Sequence, residues 1–401
     1  MNEHNSDPKD ATLAVWAGEN KPHWENATQV PVVHSVSFGY ADLEHWAKVG
    51  RGEIDGHIYS RNTNPTVRAF EEKICCLERA QDSTAFASGM AAISNTLFTL
   101  LAPGDRIVSI KDSYGGTNRI FQEFLPRFNI TVTLCDTIDQ DAIETAISEG
   151  CQVLYLESPT NPTMKIVDIA RLTAAAHRVG ALVVVDNTFA TPVNQKPLEL
   201  GADLVLHSAT KYLGGHADAL GGAVCGPQDH IRRIFHFREI NGAALDPMAA
   251  YLLLRGMKTL PLRIKCQNQS AIQIARFMQS HSAVEQVFYP GLDSHPQHDI
   301  ARQQMKGFGG MLSFLVKGGY RAVAQFLPRL RFAHRAANLG AVETIVGPPA
   351  TTSHVELNAR ERAAMGIPEN LVRYSVGIED LADLIEDLKQ ALDSIGSDTT
   401  A

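Results

Sequence analysis

Short apolar runs, bounded by turn residues and separated by stretches of helical period, dominate the middle of the chain. "RIVSI", "TVTLC", "QVLYLE", "ALVVVD" and "DLVLHS" are too short for helices and mostly rich in β-branched residues, so strands are expected there. Between them, "IARLTAAAHRVG" spaces its apolar residues three and four apart. "VRAFEEKICCLERA" does the same nearer the start, with charges on the opposite face. Buried strands separated by helices predict a largely parallel sheet with helices on both faces. Residues 1–60 show no long helical period and read as an extended arm rather than a domain. Past the helix-rich "MAAYLLLRGMKTLPLRIKCQNQSAIQIARFMQ", the stretch "GGMLSFLVKGG" reads as a strand and "ADLIEDLKQALDSI" as an amphipathic terminal helix. The expected organisation is an arm over 1–60, a larger α/β domain over 61–256 and a smaller α/β domain over 257–401.

Composition narrows the class. A chain of 401 residues, 44% apolar and 20% charged, has room for two domains of ordinary globular make-up. A net charge of −8, from 44 acidic against 36 basic residues, argues against nucleic acid or an anionic membrane as the main partner. Cys75, Cys76, Cys135, Cys151, Cys225 and Cys266 form no CxxC pair, and the adjacent two do not suit a simple bridge. Reduced thiols in a cytoplasmic protein are expected. The opening "MNEHNSDPKD" lacks the apolar core of a signal peptide, and no apolar run approaches the ~18 residues of a membrane span.

In open parallel sheets ligands lie beyond the carboxyl ends of the strands, which directs attention to Glu157, Asp186 and the stretch from His207 to Lys211. "HSATKYLGGHADALGG" (207–222) contains a formal SxxK match, with Ser208 as nucleophile and Lys211 as its partner. That chemistry also needs downstream SDN and KTG motifs, and neither occurs. The other reading makes Lys211 the amine that captures an aldehyde cofactor such as pyridoxal phosphate. Such a cofactor also needs a carboxylate for its pyridinium nitrogen and groups for its phosphate. Asp186 ends "ALVVVD" one βα unit earlier, and Ser208 and Thr210 flank the lysine with hydroxyls. "ASGMAA" (87–92), through Ser88, Gly89 and Met90, reads as a small-residue turn opening a helix, whose free N–H groups suit a phosphate. No GK dipeptide permits a P-loop, no GxGxxG opens a βα unit, and no HExxH offers zinc ligands. "HPQH" (295–298) is expected as a polar surface turn, and no metal is expected.

With these residues in hand, the chain resembles the Cys/Met-metabolism family of pyridoxal-phosphate enzymes. The likeness runs from "YSRNTNPT" through "SGMAA", "SYGGTNR", "ESPTNPTMKIVDI", "VVVDNTFATP", "HSATKYLGGH" and "LRGMKTL" to "LVRYSVGIED". It implies fold type I, the aspartate aminotransferase-like α/β architecture with a large, mostly parallel sheet and a smaller C-terminal α/β domain. It implies roles as well. Lys211 would bind the cofactor aldehyde and shuttle protons, Asp186 would pair with the pyridine nitrogen, and Tyr114 would stack on the ring and assist the leaving group. Gly89, Met90, Ser208 and Thr210 would hold the phosphate, joined by Tyr59 and Arg61 from a neighbouring subunit in an obligate dimer, usually a dimer of dimers. Asn161 would sit near the phenolic oxygen, and Arg373 would grip the substrate α-carboxylate.

Departures from the family pattern bear on substrate. Methionine γ-lyases carry cysteine two residues after the stacking tyrosine, where this chain has Gly116. Ala337 and Asn338 stand where glutamate and serine are typical of cystathionine-handling members. Ile58 replaces an acidic residue, and Pro348 a common histidine. Arg119 is retained, and in cystathionine-type members it can meet a distal carboxylate. The resemblance therefore implies γ-elimination or γ-replacement on a γ-substituted L-homoserine derivative, with canavanine-type or O-acylhomoserine-type substrates favoured. A cystathionine γ-synthase or O-acylhomoserine sulfhydrylase with a relaxed second-substrate site is the alternative. A catalytically silent member acting as a binding protein is opposed by the intact Lys211, Asp186, Tyr114 and Arg373.

Overall fold

Strands that are apolar on both sides need cover on both sides, and the central strands find it in one sheet. β1 (Asp82–Phe86), β2 (Arg106–Ile110), β3 (Thr131–Cys135), β4 (Val153–Glu157), β5 (Leu182–Asp186), β6 (Leu204–Ser208) and β7 (Gly222–Gly226) pair in the order β1-β7-β6-β5-β4-β2-β3. β7 runs antiparallel to β1 and β6, and the other pairings are parallel. Leu97, Phe121, Tyr155, Val184 and Leu206 fill one face, and Val108, Leu154, Leu172, Val183 and Val185 the other. Each such side chain, fully buried, contributes roughly 1.5–3 kcal/mol. The protein is described from a computed structural model that covers residues 8–19, 26–352, 355, 360, 362 and 366–395.

A second sheet follows in the chain. β8 (Val284–Phe288), β9 (Met311–Val316), β10 (His334–Arg335), β11 (Ile345–Gly347) and β12 (Leu371–Ser375) pair in the order β10-β11-β12-β9-β8. The helix Leu381–Asp393 packs into its core through Leu384, Leu388 and Leu392. Among the described residues no helix is long and apolar enough to cross a membrane.

Two strands carry no apolar run of their own, and two local expectations are corrected in part. "DSTAF" and "GAVCG" are too polar or too small to stand out as strands, yet they are β1, the edge strand paired with β7, and β7, held between β1 and β6. The arm contains the helices Asp10–Trp16 and Leu43–Gly50. The first is short, but it packs on the helices Pro65–Glu78 and Leu260–Ser280. The buried ammonium of Lys73 fastens it there, donating to the Ala14 and Val15 carbonyls (2.6 and 3.1 Å) and to Glu19 (2.6 Å). "HPQH" is a turn with Pro296 exposed, as expected, but its first histidine faces inward. His295 is buried, which pushes its imidazole down to about 4, and His298 Nδ1 lies 2.8 Å from the Pro290 carbonyl.

The loop after β6 is held from below. The Arg263 guanidinium, buried on the helix Leu260–Ser280, donates to the carbonyls of Tyr212 (2.8 Å), Leu213 (3.2 Å) and Gly256 (2.8 Å). Burial lowers its pKa to about 10. The helix Pro247–Met257 presses on the same loop, and a Cβ at Gly256 would lie 2.0 Å from the Gly214 carbonyl oxygen. Because Tyr212 and Leu213 follow Lys211 directly, Arg263 fixes the backbone that presents the lysine. Arg263→Met should leave these buried carbonyls unpaired and cost about 3 kcal/mol, measured as a lowered midpoint of urea unfolding, with faster cofactor loss. A midpoint and a cofactor off-rate both equal to those of the parent would count against this anchoring.

Candidate active site

The carboxyl ends of β4, β5 and β6 open into a cavity of about 840 Å³, closed on the far side by residues of the second sheet. Its floor begins where β1 runs into the helix Gly89–Leu100. Ser88 caps that helix, its hydroxyl accepting from the Ala91 N–H at 3.1 Å. The N–H groups of the first turn have no partner within the helix, and Gly89 and Met90 line the cavity. Gly89 is required by close approach: a Cβ there would meet Ser208 Cβ at 2.7 Å. Ser208 and Thr210 line the same corner of the cavity. The Thr210 hydroxyl is already engaged with Gly221, donating to its carbonyl (3.2 Å) and accepting from its N–H (3.1 Å).

Lys211 extends from the loop into the cavity. Its amine donates to Asn338 Oδ1 at 2.7 Å, and burial together with the charge of Arg373 lowers it to about 8. Asp186, at the end of β5, is buried, and burial raises its carboxyl above the ordinary range. The Thr188 N–H (2.9 Å) and the Tyr155 hydroxyl (3.5 Å) donate to it and favour the anion.

On the opposite side, Arg373 of β12 is buried, and desolvation lowers its guanidinium to about 10. It donates to Asn161 Oδ1 (3.0 Å) and to the Asn338 carbonyl (3.2 Å). Asn161 is thus brought to the cavity with its amide oxygen on Arg373. Tyr114 lines the same space and is 42% exposed.

Arg119 also reaches the wall, where it pairs with Glu123. Gly116 is crowded: a Cβ there would lie 2.7 Å from Met90 Sδ and 2.9 Å from Tyr114 Cε1. Two residues singled out in the sequence do not reach this cavity. Tyr59 and Arg61 are exposed before the helix Pro65–Glu78, with the guanidinium carbon 5.2 Å from the tyrosine ring centre.

Sequence reasoning pointed to Glu157 but gave it no role, and it missed Thr188. Glu157 lines the cavity and stands opposite Asp186 in the parallel register of β4 and β5. Burial and the Asp186 charge push its carboxyl well up, against two N–H donors. Thr188 lines the cavity and holds the Ser208 N–H on its hydroxyl at 2.8 Å. The only available signal was position, at or just past a strand end.

These residues fit pyridoxal phosphate by their chemistry. A low-pKa amine, a buried carboxylate, an exposed aromatic face and a glycine-opened helix N-terminus share one cavity.

Comparison with known proteins agrees. The family profile described as "Cys/Met metabolism PLP-dependent enzyme" matches residues 11–393. Cystathionine gamma-synthase 1, chloroplastic, of Nicotiana tabacum is 43% identical over 96% of this chain and 72% of its own length. L-methionine gamma-lyase of Fusobacterium nucleatum subsp. polymorphum is 42% identical over 96% of this chain and 98% of its own. O-succinylhomoserine sulfhydrylase of Pseudomonas aeruginosa is 41% identical over 95% and 94%. The crystal structure of cystathionine gamma synthase from Xanthomonas oryzae pv. oryzae, in complex with aminoacrylate and cysteine, superposes with a TM-score of 0.93. It is 36% identical, covering 98% of this chain and 100% of that one.

The lowered amine is directly testable. In cofactor-free protein, acylation of Lys211 followed by mass spectrometry should titrate near pH 8, against ~10.4 for a surface lysine. Arg373→Gln removes a repelling charge and should move that midpoint upward. A midpoint above 10 in the parent protein would contradict the electrostatics described here.

Proposed function

The chain belongs to the Cys/Met metabolism family of pyridoxal-phosphate-dependent enzymes, and we propose that it carries out γ-elimination or γ-replacement on a γ-substituted L-homoserine derivative of the canavanine or O-acylhomoserine type. Pyridoxal 5′-phosphate is its cofactor. The observation that carries the reading is that Lys211, Asp186, Tyr114 and Arg373 line a single cavity. When bound, the cofactor withdraws electrons from the substrate Cα, which makes the protons at Cα and then Cβ removable.

The chain's own residues divide the remaining work. Lys211, with an amine lowered to about 8, is matched to taking and returning protons near neutral pH. Its mobile side chain can serve Cα and Cβ in turn. The Tyr114 hydroxyl is available to give a proton to the group departing from Cγ with its bonding electrons. Arg373, whose present acceptors are two neutral amide oxygens, would exchange them for the substrate α-carboxylate in a bidentate grip. Asp186 supplies the anion for a protonated ring nitrogen. Ser88, Gly89, Met90, Ser208 and Thr210 would hold the phosphate, and Asn161 the neighbourhood of the phenolic oxygen.

Substrate choice rests on Gly116, Ala337, Asn338 and Arg119. The cysteine that methionine γ-lyases carry is absent at Gly116, where a Cβ would require the Met90 and Tyr114 side chains to shift. Asn338, in place of serine, puts an amide oxygen on the Lys211 amine. Both features favour a substrate that is neither methionine nor cystathionine. A synthase or sulfhydrylase with a relaxed second-substrate site is the second reading, favoured by relatives of those names at 43% and 41% identity.

Tyr59 and Arg61 would complete the phosphate site from a neighbouring subunit, in a dimer of dimers. Their exposure outside this chain's own cavity supports that role.

A panel of O-acylhomoserines, methionine, cystathionine, homocysteine and canavanine, scored for 2-oxobutanoate, homoserine and thioether products, tests the assignment. Canavanine or an O-acylhomoserine should be turned over at least about tenfold faster than methionine or cystathionine, and Lys211→Ala should abolish both turnover and the visible absorption of the bound cofactor. Cofactor-loaded protein that turns over none of the panel would defeat the reading. For the shared site, mixing Arg61→Ala with Tyr114→Phe subunits should restore about a quarter of parental activity through one intact site per mixed dimer. Mixtures no more active than either variant alone would argue against sharing.

A further inference from the structure

Glu157 lies outside the roles assigned so far, and its contacts join two of them. We propose that Glu157 is a positioning residue that sets the stacking tyrosine and the substrate-gripping arginine in register across the cavity. The proposal rests on the roles given above to Tyr114 and Arg373.

One oxygen of the carboxylate accepts the Tyr114 N–H at 2.8 Å, and the other accepts the Asn161 N–H at 3.2 Å. Tyr114 precedes the helix Gly115–Arg119, so its N–H has no acceptor inside that helix. The backbone that carries the stacking ring therefore depends on Glu157. Asn161, held by the second oxygen, passes the constraint on through its side chain, which accepts from Arg373 Nη1 at 3.0 Å. A single buried side chain, anchored at the end of β4, thus sets the spacing between the ring wall and the carboxylate anchor.

Only a carboxylate does this well. Held as the anion by those two N–H groups against burial and the Asp186 charge, it offers acceptors on both oxygens and no donor, whereas glutamine would turn an NH₂ group toward one of the two N–H groups. Aspartate, one methylene shorter, would not reach both from the same strand. Burial at this depth is unfavourable for a carboxylate beside Asp186, so its retention calls for compensation, and the two N–H bonds provide part of it.

The test compares parent, Glu157→Gln and Arg373→Ala proteins by three measurements. These are the melting temperature of cofactor-free protein, the dissociation constant for pyridoxal phosphate by equilibrium titration, and KM against kcat for the best substrate of the panel. Glu157→Gln is close to isosteric, so the cofactor-free protein should melt within about 2 °C of the parent. Its cofactor dissociation constant should rise about tenfold through Tyr114, and its KM about tenfold through Asn161 and Arg373. Arg373→Ala should raise KM, and should weaken cofactor affinity only as far as the Lys211 amine becomes harder to deprotonate. If Glu157→Gln moves neither constant, moves only one, or alters only the melting temperature, the two-sided positioning role is overturned. An unchanged KM in Arg373→Ala would instead strike at the carboxylate-gripping role and leave the Tyr114 arm to be judged by cofactor affinity.

Discussion

Four ionisable side chains, Lys211, Arg373, Asp186 and Glu157, have to coexist around one cavity, and the arrangement of the site follows from how their charges are compensated. The two cations rest on neutral amide oxygens, Lys211 on Asn338 and Arg373 on Asn161 and Asn338. The two carboxylates rest on N–H and hydroxyl donors from Thr188, Tyr155, Tyr114 and Asn161. Neutral partners hold a charge in place without cancelling it. Burial accordingly depresses both cations and raises both acids. A ligand that brings a phosphate, a cationic ring nitrogen and an α-carboxylate supplies the missing opposite charges at the places where they are wanted.

The fold makes this possible by register. Parallel pairing sets Glu157 directly opposite Asp186, and the next strand delivers Ser208 and the lysine loop. The antiparallel β7 returns beside β6 and places Gly222 so close to the Ser88 carbonyl that a Cβ would lie 2.2 Å from it. The corner where Ser88 and Ser208 meet is therefore built from close backbone contact between two chain segments. Arg263 carries no carboxylate partner among the described ion pairs and binds carbonyls instead, so the loop it holds is fixed by geometry rather than by a salt bridge.

Much of this was legible in the sequence where a residue's chemistry coincided with a strand end. β4, β5 and β6 announce themselves by runs of valine and leucine, and Asp186 and Lys211 stand at or just past their ends. Short strands built from Ser, Thr, Ala and Gly gave no such signal, because their burial is decided by neighbours and not by their own side chains. The helix Asp10–Trp16 was missed for the same reason: its position comes from Lys73, more than fifty residues away. Contacts such as Lys211 with Asn338 span 127 positions, and one-dimensional pattern cannot report them. Glu157 was visible as a strand-end acid, but its work lies in two backbone hydrogen bonds that leave no trace in composition.

The depressed amine of Lys211 also sorts the lysines of the chain before any shape recognition takes place. At pH 7 roughly one Lys211 amine in ten is unprotonated, against only a few in ten thousand for an unperturbed lysine at ~10.4. An aldehyde diffusing to the folded protein thus finds this amine unprotonated about two hundred times more often than that of an unperturbed lysine.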